Sequence, residues 1–448
     1  MPDATLVEAA RRFGERLVRA FVEGTDRAIV VKAAAGAGKS AIVVENTGAA
    51  AEAGLRVAVT APTNDQVAEL TRRCAERFPR VQFTHLHATS VTPPEANSRL
   101  PNVTTTTNAV QASNARVVLA TNDKFAYSAD DIGAFERLVL DEAYQADSVR
   151  YLCVSGLAPV HLLVGDSGQL DPFSTVDCSY WRGQPEDPLA TAVGVLMRNH
   201  AATRTETMPL SRRLAPSAVQ IVQPAFYGPA LPFQAASLDD EREIRIAVGS
   251  DTRWRRGRAV DAALERVVAG GWAHLELASV PVLVADPETA EVIAATVRRL
   301  FERDPRVRCE RTPHWRSLRR DQVAVVVSHN DQLGLLRNLL DRAGLRDVTV
   351  STANKVQGLE FDVIVAWHPL AGLPDLDEFH LDPGRLCVML TRHRHGCIVV
   401  GRAGDREHVR YQPPTTPAYL GWDPDPVLDG WDAHRVVFEA LEPHVVAV

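Results

Sequence analysis

The segment AAAGAGKS, Ala33–Ser40, constrains this chain more than any other stretch of its sequence. It follows the apolar run Ala28–Lys32 directly and opens the helical pattern AIVVEN. A glycine-rich turn between a strand and a helix aims backbone N–H groups and the positive end of the helix at one point, where an anion is held. Lys39 would then reach outer phosphates, and the Ser40 hydroxyl would ligate Mg²⁺. The usual first glycine of such a loop is Ala33 here, while Gly36 and Gly38 keep the positions where backbone must approach phosphate most closely. A strand, loop and helix in this order belong to an α/β layer with a parallel sheet.

The remaining chain repeats that grammar. Short β-branched runs alternate with helical patterns, giving expected strands at Ala28–Lys32, Val57–Thr60, Arg116–Ala120, Leu138–Asp141 and Leu162–Gly165 in the first half. In the second half they fall at Pro281–Ala285, Val323–Val327, Asp347–Val350, Val363–Ala366 and Cys397–Gly401. With 448 residues, 46% of them hydrophobic, the chain is long enough for two cores. The division expected is 1–205 with a small insertion at about 84–114, then 206–412, then a C-terminal extension, 413–448, with Gln412–Asp429 reading as an irregular extended tail. Thr92–Asn114, rich in Pro, Thr and Asn, reads as disordered or as that insertion.

Composition narrows the setting. No apolar run long enough to span a bilayer appears, and the N-terminus alternates charge with apolar positions, so a cytoplasmic protein is expected. The six cysteines form no CxxC pair, which indicates neither a zinc site nor a disulfide framework. His85, His87, His393 and His395 make no metal-ligand pattern and read as satisfied or exposed histidines. A net charge of -7 excludes a general positive field, so any nucleic-acid contact must use local surfaces. Only Lys32, Lys39, Lys124 and Lys355 are lysines among the cations, the mark of a GC-rich coding bias.

Two further strand ends carry chemistry. LVLDEAYQ places Asp141 and Glu142 where a nucleotide-bound Mg²⁺ needs an acidic partner and an attacking water needs a base. Asp141 fits the metal and Glu142 the base. HLLVGDSGQL runs into Gly165, Asp166, Gln169 and Leu170, where a glutamine suits a sensor of the outermost phosphate.

The ordered set AAAGAGKS, TAPTNDQVAEL, LATND, DEAYQ, GDSGQL, PLSRRLAPSAVQIVQPAFYG, STANKVQGLEFDVIV and CVMLTRHRHGCIVVG resembles the motifs of superfamily 1 helicases. The resemblance implies two RecA-like P-loop NTPase domains in tandem, ATP and Mg²⁺ between them, and a single nucleic-acid strand across both. RRLAP, FYG and LTRHRHG are similar to the Upf-like branch and TANKVQG to RecD/Pif-type enzymes, both moving 5′ to 3′; GLEFD is shared with UvrD-type enzymes, which move 3′ to 5′. Residue by residue, the likeness assigns Gly36, Ala37, Gly38, Lys39 and Ser40 to the nucleotide, with Ser40 and Asp141 on the metal. It makes Glu142 the base, Gln169 the sensor, and Arg213 and Arg392 arginine fingers, with Arg212 an adjacent rival to Arg213. Gln357, Gly358 and Glu360 are assigned to a motif shared by nucleotide and strand.

Thr63, Asn64, Thr121 and Thr352 are assigned to the strand, the alternative being helix capping. Phe173 is a stacking platform or core. TRWRRGR (252–258) and HWRSLRR (314–320) are local basic surfaces or solvated faces. The glutamine with which many members read adenine is absent upstream of the loop, since the first glutamine is Gln66. The expected activity is ATP-dependent translocation on, or unwinding of, single-stranded nucleic acid, with DNA favoured. A helicase-like ATPase switch in a larger assembly and a P-loop nucleotide kinase are the rivals.

Overall fold

A computed structural model describes residues 4–174, 176–182, 184–238, 240–249, 256–412 and 428–448. The first lobe is built on an eight-stranded, wholly parallel sheet. Its strands are β1 (Ala28–Lys32), β2 (Val57–Ala61), β3 (Phe83–Leu86), β4 (Val103–Thr106), β5 (Val117–Thr121), β6 (Arg137–Asp141), β7 (His161–Gly165) and β8 (Arg204–Thr207). They lie in the order β4-β3-β5-β2-β6-β7-β1-β8. Central strands such as VAVTA and HLLVG are buried along their whole length, the pattern required when helices cover both faces of a sheet. Helices Ala4–Glu23, Lys39–Glu52 and Asn64–Arg77 cover one face, and Asn122–Ile132, Ser148–Ser155 and Ala192–Asn199 the other.

The second lobe contains β9 (Leu210–Ser211), β10 (Gln234–Ala235), β11 (Glu243–Arg245), β12 (Trp272–Leu277), β13 (Arg306–Cys309), β14 (Thr312–Ser317), β15 (Val323–Val327), β16 (Thr349–Thr352), β17 (Phe361–Trp367), β18 (His393–Arg402) and β19 (Val445–Ala447). Six of them form a parallel sheet in the order β16-β15-β17-β18-β12-β19, while β11-β13-β14 make a small antiparallel sheet beside it. The α/β class and the paired parallel sheets flanked by helices are as the sequence implies.

Three expectations change. Pro281–Ala285 forms no strand; Val282 donates to the Gly372 carbonyl and Leu283 is largely exposed. The strand instead is β12, WAHLEL, whose polar positions hid it: His274 stacks on Phe438 inside the lobe and Glu276 pairs with Arg406 at 2.7 Å. The region 84–114 is ordered and supplies β3 and β4, the rim of the first sheet. Of the C-terminal region, Gly430–Leu441 packs into the second lobe and β19 pairs β12, so this part is built into that lobe's layers. The irregular tail expected at 412–429 lies almost wholly outside the described residues.

Candidate nucleotide site and strand cleft

The phosphate loop leaves β1 with Ala33 N–H bonded to the Gly165 carbonyl at 2.9 Å, so the loop is registered on β7. Gly36 and Gly38 have φ of 74° and 97°, a left-handed conformation that glycine adopts without steric cost. A Cβ on Gly36 would also overlap the Cβ of Arg213, because the loop is pressed against the second lobe. Ser211 Oγ donates to the Ala35 carbonyl at 2.7 Å, and Arg212 N–H donates to the Gly36 carbonyl at 2.8 Å. Ala34, Ala35 and Leu170 share one apolar cluster with Leu214, Tyr227 and Leu386 of the second lobe. Ala37, fully packed, donates its N–H to the Ala34 carbonyl at 3.1 Å.

Lys39 begins the helix and points back into a carboxylate cluster. Its Nζ lies 3.3 Å from Asp166 Oδ2 and 3.6 Å from Glu142 Oε2. Burial opposes its charge, but Glu142 and Asp166 outweigh burial and hold its pKa above the usual lysine value. Asp141, at the end of β6, is pushed up to about 7 by burial and by Glu142 next to it. Glu142 takes the left-handed conformation at φ 52°, rare for a residue with a side chain and characteristic of functional turns. Gln169 donates through Nε2 to Asp166 Oδ2 and accepts at Oε1 from Gln357 of the second lobe at 3.1 Å.

The second lobe brings both expected fingers to this point. Arg392 is 1% exposed and sits near enough to Lys39, Arg213 and Asp166 to interact with each electrostatically. Its NH2 group donates to Thr391 Oγ1 at 2.9 Å, and its buried Nε has no hydrogen-bond partner among the described residues. Burial, and then repulsion from Arg213, lowers its pKa to about 10. Arg213 is likewise lowered to about 10 by burial, and is held by Glu360 at 3.1 Å and the Thr391 carbonyl at 3.3 Å. Its rival Arg212 is exposed, and its Cδ passes 3.9 Å from where a Cβ on Gly38 would stand. Glu360 is engaged by Arg213, Arg394 and, at 3.9 Å, Arg311, so it anchors arginines. Gly358 turns the chain before it at φ 83°.

Tyr227, whose FYG segment was part of the resemblance but received no role, stands in the middle of the site. Its hydroxyl accepts from Ala35 N–H at 3.0 Å and donates to Asp166 Oδ1 at 2.9 Å. Asp166 thus joins Lys39, Gln169 and Tyr227. The only sequence signal for either residue was its place inside a motif.

Beside the phosphate site the lobes enclose a cleft of about 660 Å³. Thr63, Asn122, Gln145, Arg150 and Phe173 line it from the first lobe, Asn354 and Gln357 from the second. Thr63 lies in the cleft wall and also caps helix Asn64–Arg77, in a capping box with Gln66. Asn64 is exposed beside it. Thr121 caps a helix through its side chain, Thr352 stands at a helix start with no side-chain cap bond, and Asn122 and Asn354 nearby supply the lining. Asn122 is 2% exposed; its Oδ1 accepts from Thr60 at 2.6 Å, and its Nδ2 has no partner among the described residues. Phe173 is 73% exposed, which excludes a core role. Asp123 and Asp147 flank Arg150 and pair with it, and Asp171 also lines the cleft, so the lining carries more acid than base.

The basic clusters behave differently. Residues 250–255 lie outside the described residues. In the other cluster Arg316 pairs with Asp362 at 2.7 Å, Arg319 with Asp321, and Arg320 with the Gly344 carbonyl, while Trp315 stacks with Arg245 at 4.1 Å. The four histidines are buried, His85 with neither ring nitrogen bonded and His395 beside Asp362 at 3.1 Å. Among the described residues no group of three or more His, Cys, Asp or Glu is arranged to hold a metal, and no helix is long and apolar enough to cross a membrane.

Comparison with known proteins adds the family signal. A family model described as an AAA domain matches residues 14–177, and a second model of the same description matches residues 198–404. Each lobe carries its own AAA-domain match. In build the chain is two α/β lobes in tandem, the first carrying a glycine-rich phosphate loop. No curated protein matches it. Among solved structures, the helicase of PRRSV is 13% identical over 90% of this chain and 58% of that one, with a TM-score of 0.42. A complex of arterivirus nonstructural protein 10, a helicase, with DNA is 11% identical over 88% of this chain and 64% of that one, with a TM-score of 0.43. The chain spans less than two thirds of either.

Proposed function

We propose that this chain is an ATP- and Mg²⁺-dependent motor that translocates along single-stranded nucleic acid, and that its strand is DNA, traversed 5′ to 3′. One observation carries the reading. The phosphate loop is buried against the second lobe, with Arg213, Arg392 and Tyr227 gathered around Lys39 and Asp166. Phosphoryl transfer develops little new covalent chemistry for a protein to assist and depends on positioning and on positive charge at the outer phosphate. Cations supplied by an opposing lobe make hydrolysis contingent on closure.

Lys39 would bind the outer phosphates, exchanging Asp166 and Glu142 for the nucleotide. Glu142, set at a strained turn beside Lys39, would orient the attacking water and accept its proton. Gln169, bonded to Gln357 across the seam, would report occupancy to the cleft. Asp141, buried next to Glu142 and raised in pKa, fits a magnesium ligand, with Ser40 as its partner. The ion, when bound, neutralises charge on the phosphate oxygens.

The cleft would hold the strand through Thr63, Asn122 and Asn354, neutral groups suited to backbone contacts, and through Phe173, placed to stack on a base. The RRLAP, FYG, QG and LTRHRHG segments support the Upf-like or RecD/Pif-type branch and its polarity, and the arginine-rich composition supports a bacterial DNA substrate in the cytoplasm.

Steady-state ATP turnover without polymer, with single-stranded DNA and with single-stranded RNA tests the proposal. Stimulation of about tenfold or more by DNA is expected. Equal rates in all three conditions would point to the helicase-like switch.

A further inference from the structure

Tyr227 comes from the second lobe, immediately after helix Pro216–Phe226, and its hydroxyl, 3.6 Å from Cys387 Sγ of its own lobe, makes its two shorter hydrogen bonds to the first. The ring is 4% exposed and packs edge-on against Phe233 at 5.3 Å. Gly168 has no room for a side chain because a Cβ there would collide with the ring, so the first lobe is shaped to receive it. Burial keeps the phenol protonated, its pKa raised well above the usual value. A hydroxyl that accepts from Ala35 N–H therefore still has a proton to give Asp166 Oδ1. The other oxygen of Asp166 meets Lys39 and Gln169.

We infer that Tyr227 is a positioning residue through which the second lobe sets the phosphate loop: its hydroxyl fixes the Ala35 amide and the Asp166 carboxylate together, and Asp166 in turn aims Lys39 and Gln169. The inference rests on the ATPase reading of the same site. No arginine finger is needed for it. Separation of the lobes would strip the Ala35 amide and Asp166 of a shared partner, so competence of the loop follows lobe contact even before charge is delivered. Gln169 then carries the same information to Gln357 and the strand cleft.

The test uses the full chain with Tyr227→Phe, which keeps the ring and removes one oxygen. Two readouts are taken: ATP turnover with saturating single-stranded DNA, and hydrogen exchange of the amides in residues 33–39. The expected result is a fall in kcat of about tenfold or more with KM for ATP within about threefold, and faster exchange at Ala35. A Phe233→Leu variant, which loosens the ring's packing and leaves the hydroxyl, should lose thermal stability and keep most of kcat. Wild-type kcat or unchanged Ala35 exchange in Tyr227→Phe would overturn the inference, as would a rise in KM alone. If the wild-type chain turns over no ATP, the ATPase reading fails, and the exchange measurement still decides whether the hydroxyl holds the loop.

Discussion

The two sides of the interlobe seam solve different problems with different residues. On the nucleotide side Lys39 and Asp166 pair in the interior, and the site is tied across the seam by Asp166 to Tyr227, Gln169 to Gln357 and Gly36 against Arg213. On the cleft side the lining is open and short of cations, with Thr63 and Asn354 exposed, Phe173 projecting and Arg150 outnumbered by Asp123, Asp147 and Asp171. Charge on a phosphate is worth most where water is excluded, so a hydrolytic site gathers its cations in the interior. A strand that must slide needs contacts that are easily made and broken, and neutral donors with one aromatic platform meet that need.

The largest effect that could break this contrast belongs to the base. Glu142→Gln should lower kcat by about a thousandfold while ATP still binds, and Lys39→Ala should lose both. Quench-flow and nucleotide-binding assays on the two variants separate these outcomes, and turnover at the wild-type rate in Glu142→Gln would remove the assigned base.

The cleft is expected to answer differently. Phe173→Ala and Asn122→Ala should each weaken single-strand binding by about tenfold and leave turnover without polymer unchanged. Fluorescence anisotropy across a salt series sharpens the point, because a cleft whose one arginine is already paired with carboxylates predicts a shallow dependence on salt. Equal losses in polymer-free turnover would mean that the two faces are not separable.

The smallest effect is on stability. Asp141 has its carboxyl pushed up to about 7 in the folded chain, so the charged form is the costly one. The penalty is absent below the unfolded carboxylate range, grows as pH rises and is complete above about 7. Asp141→Asn should therefore raise the melting temperature above that pH without Mg²⁺, and the gain should fade on acidification. A gain that is constant with pH would contradict the assignment.

Much of the nucleotide face was legible because its chemistry is local. A glycine-rich turn, a DE pair at a strand end and a glutamine after the next strand are each complete within a few residues. What escaped is relational. Glu360 reads as one more conserved-looking carboxylate in GLEFD, and only the folded chain shows three arginines converging on it. Tyr227 and Asp166 were in view as letters, but their bond spans the seam. In the cleft Thr121 and Thr352 were chosen over the asparagines that follow one and two residues on, and Asn122 and Asn354 line it while Thr121 is spent on capping a helix. The apolar run Pro281–Ala285 outscored WAHLEL because the pattern counts hydrophobes, whereas His274 and Glu276 find partners inside the lobe.

Arg392 offers the most direct test of a triphosphate shared between lobes. Single-turnover hydrolysis by Arg392→Ala, with ATP and single-stranded DNA both saturating, should be slower than wild type by about a hundredfold or more while the ATP dissociation constant moves by less than about threefold. Wild-type cleavage by that variant would mean that the second lobe takes no part in the chemistry.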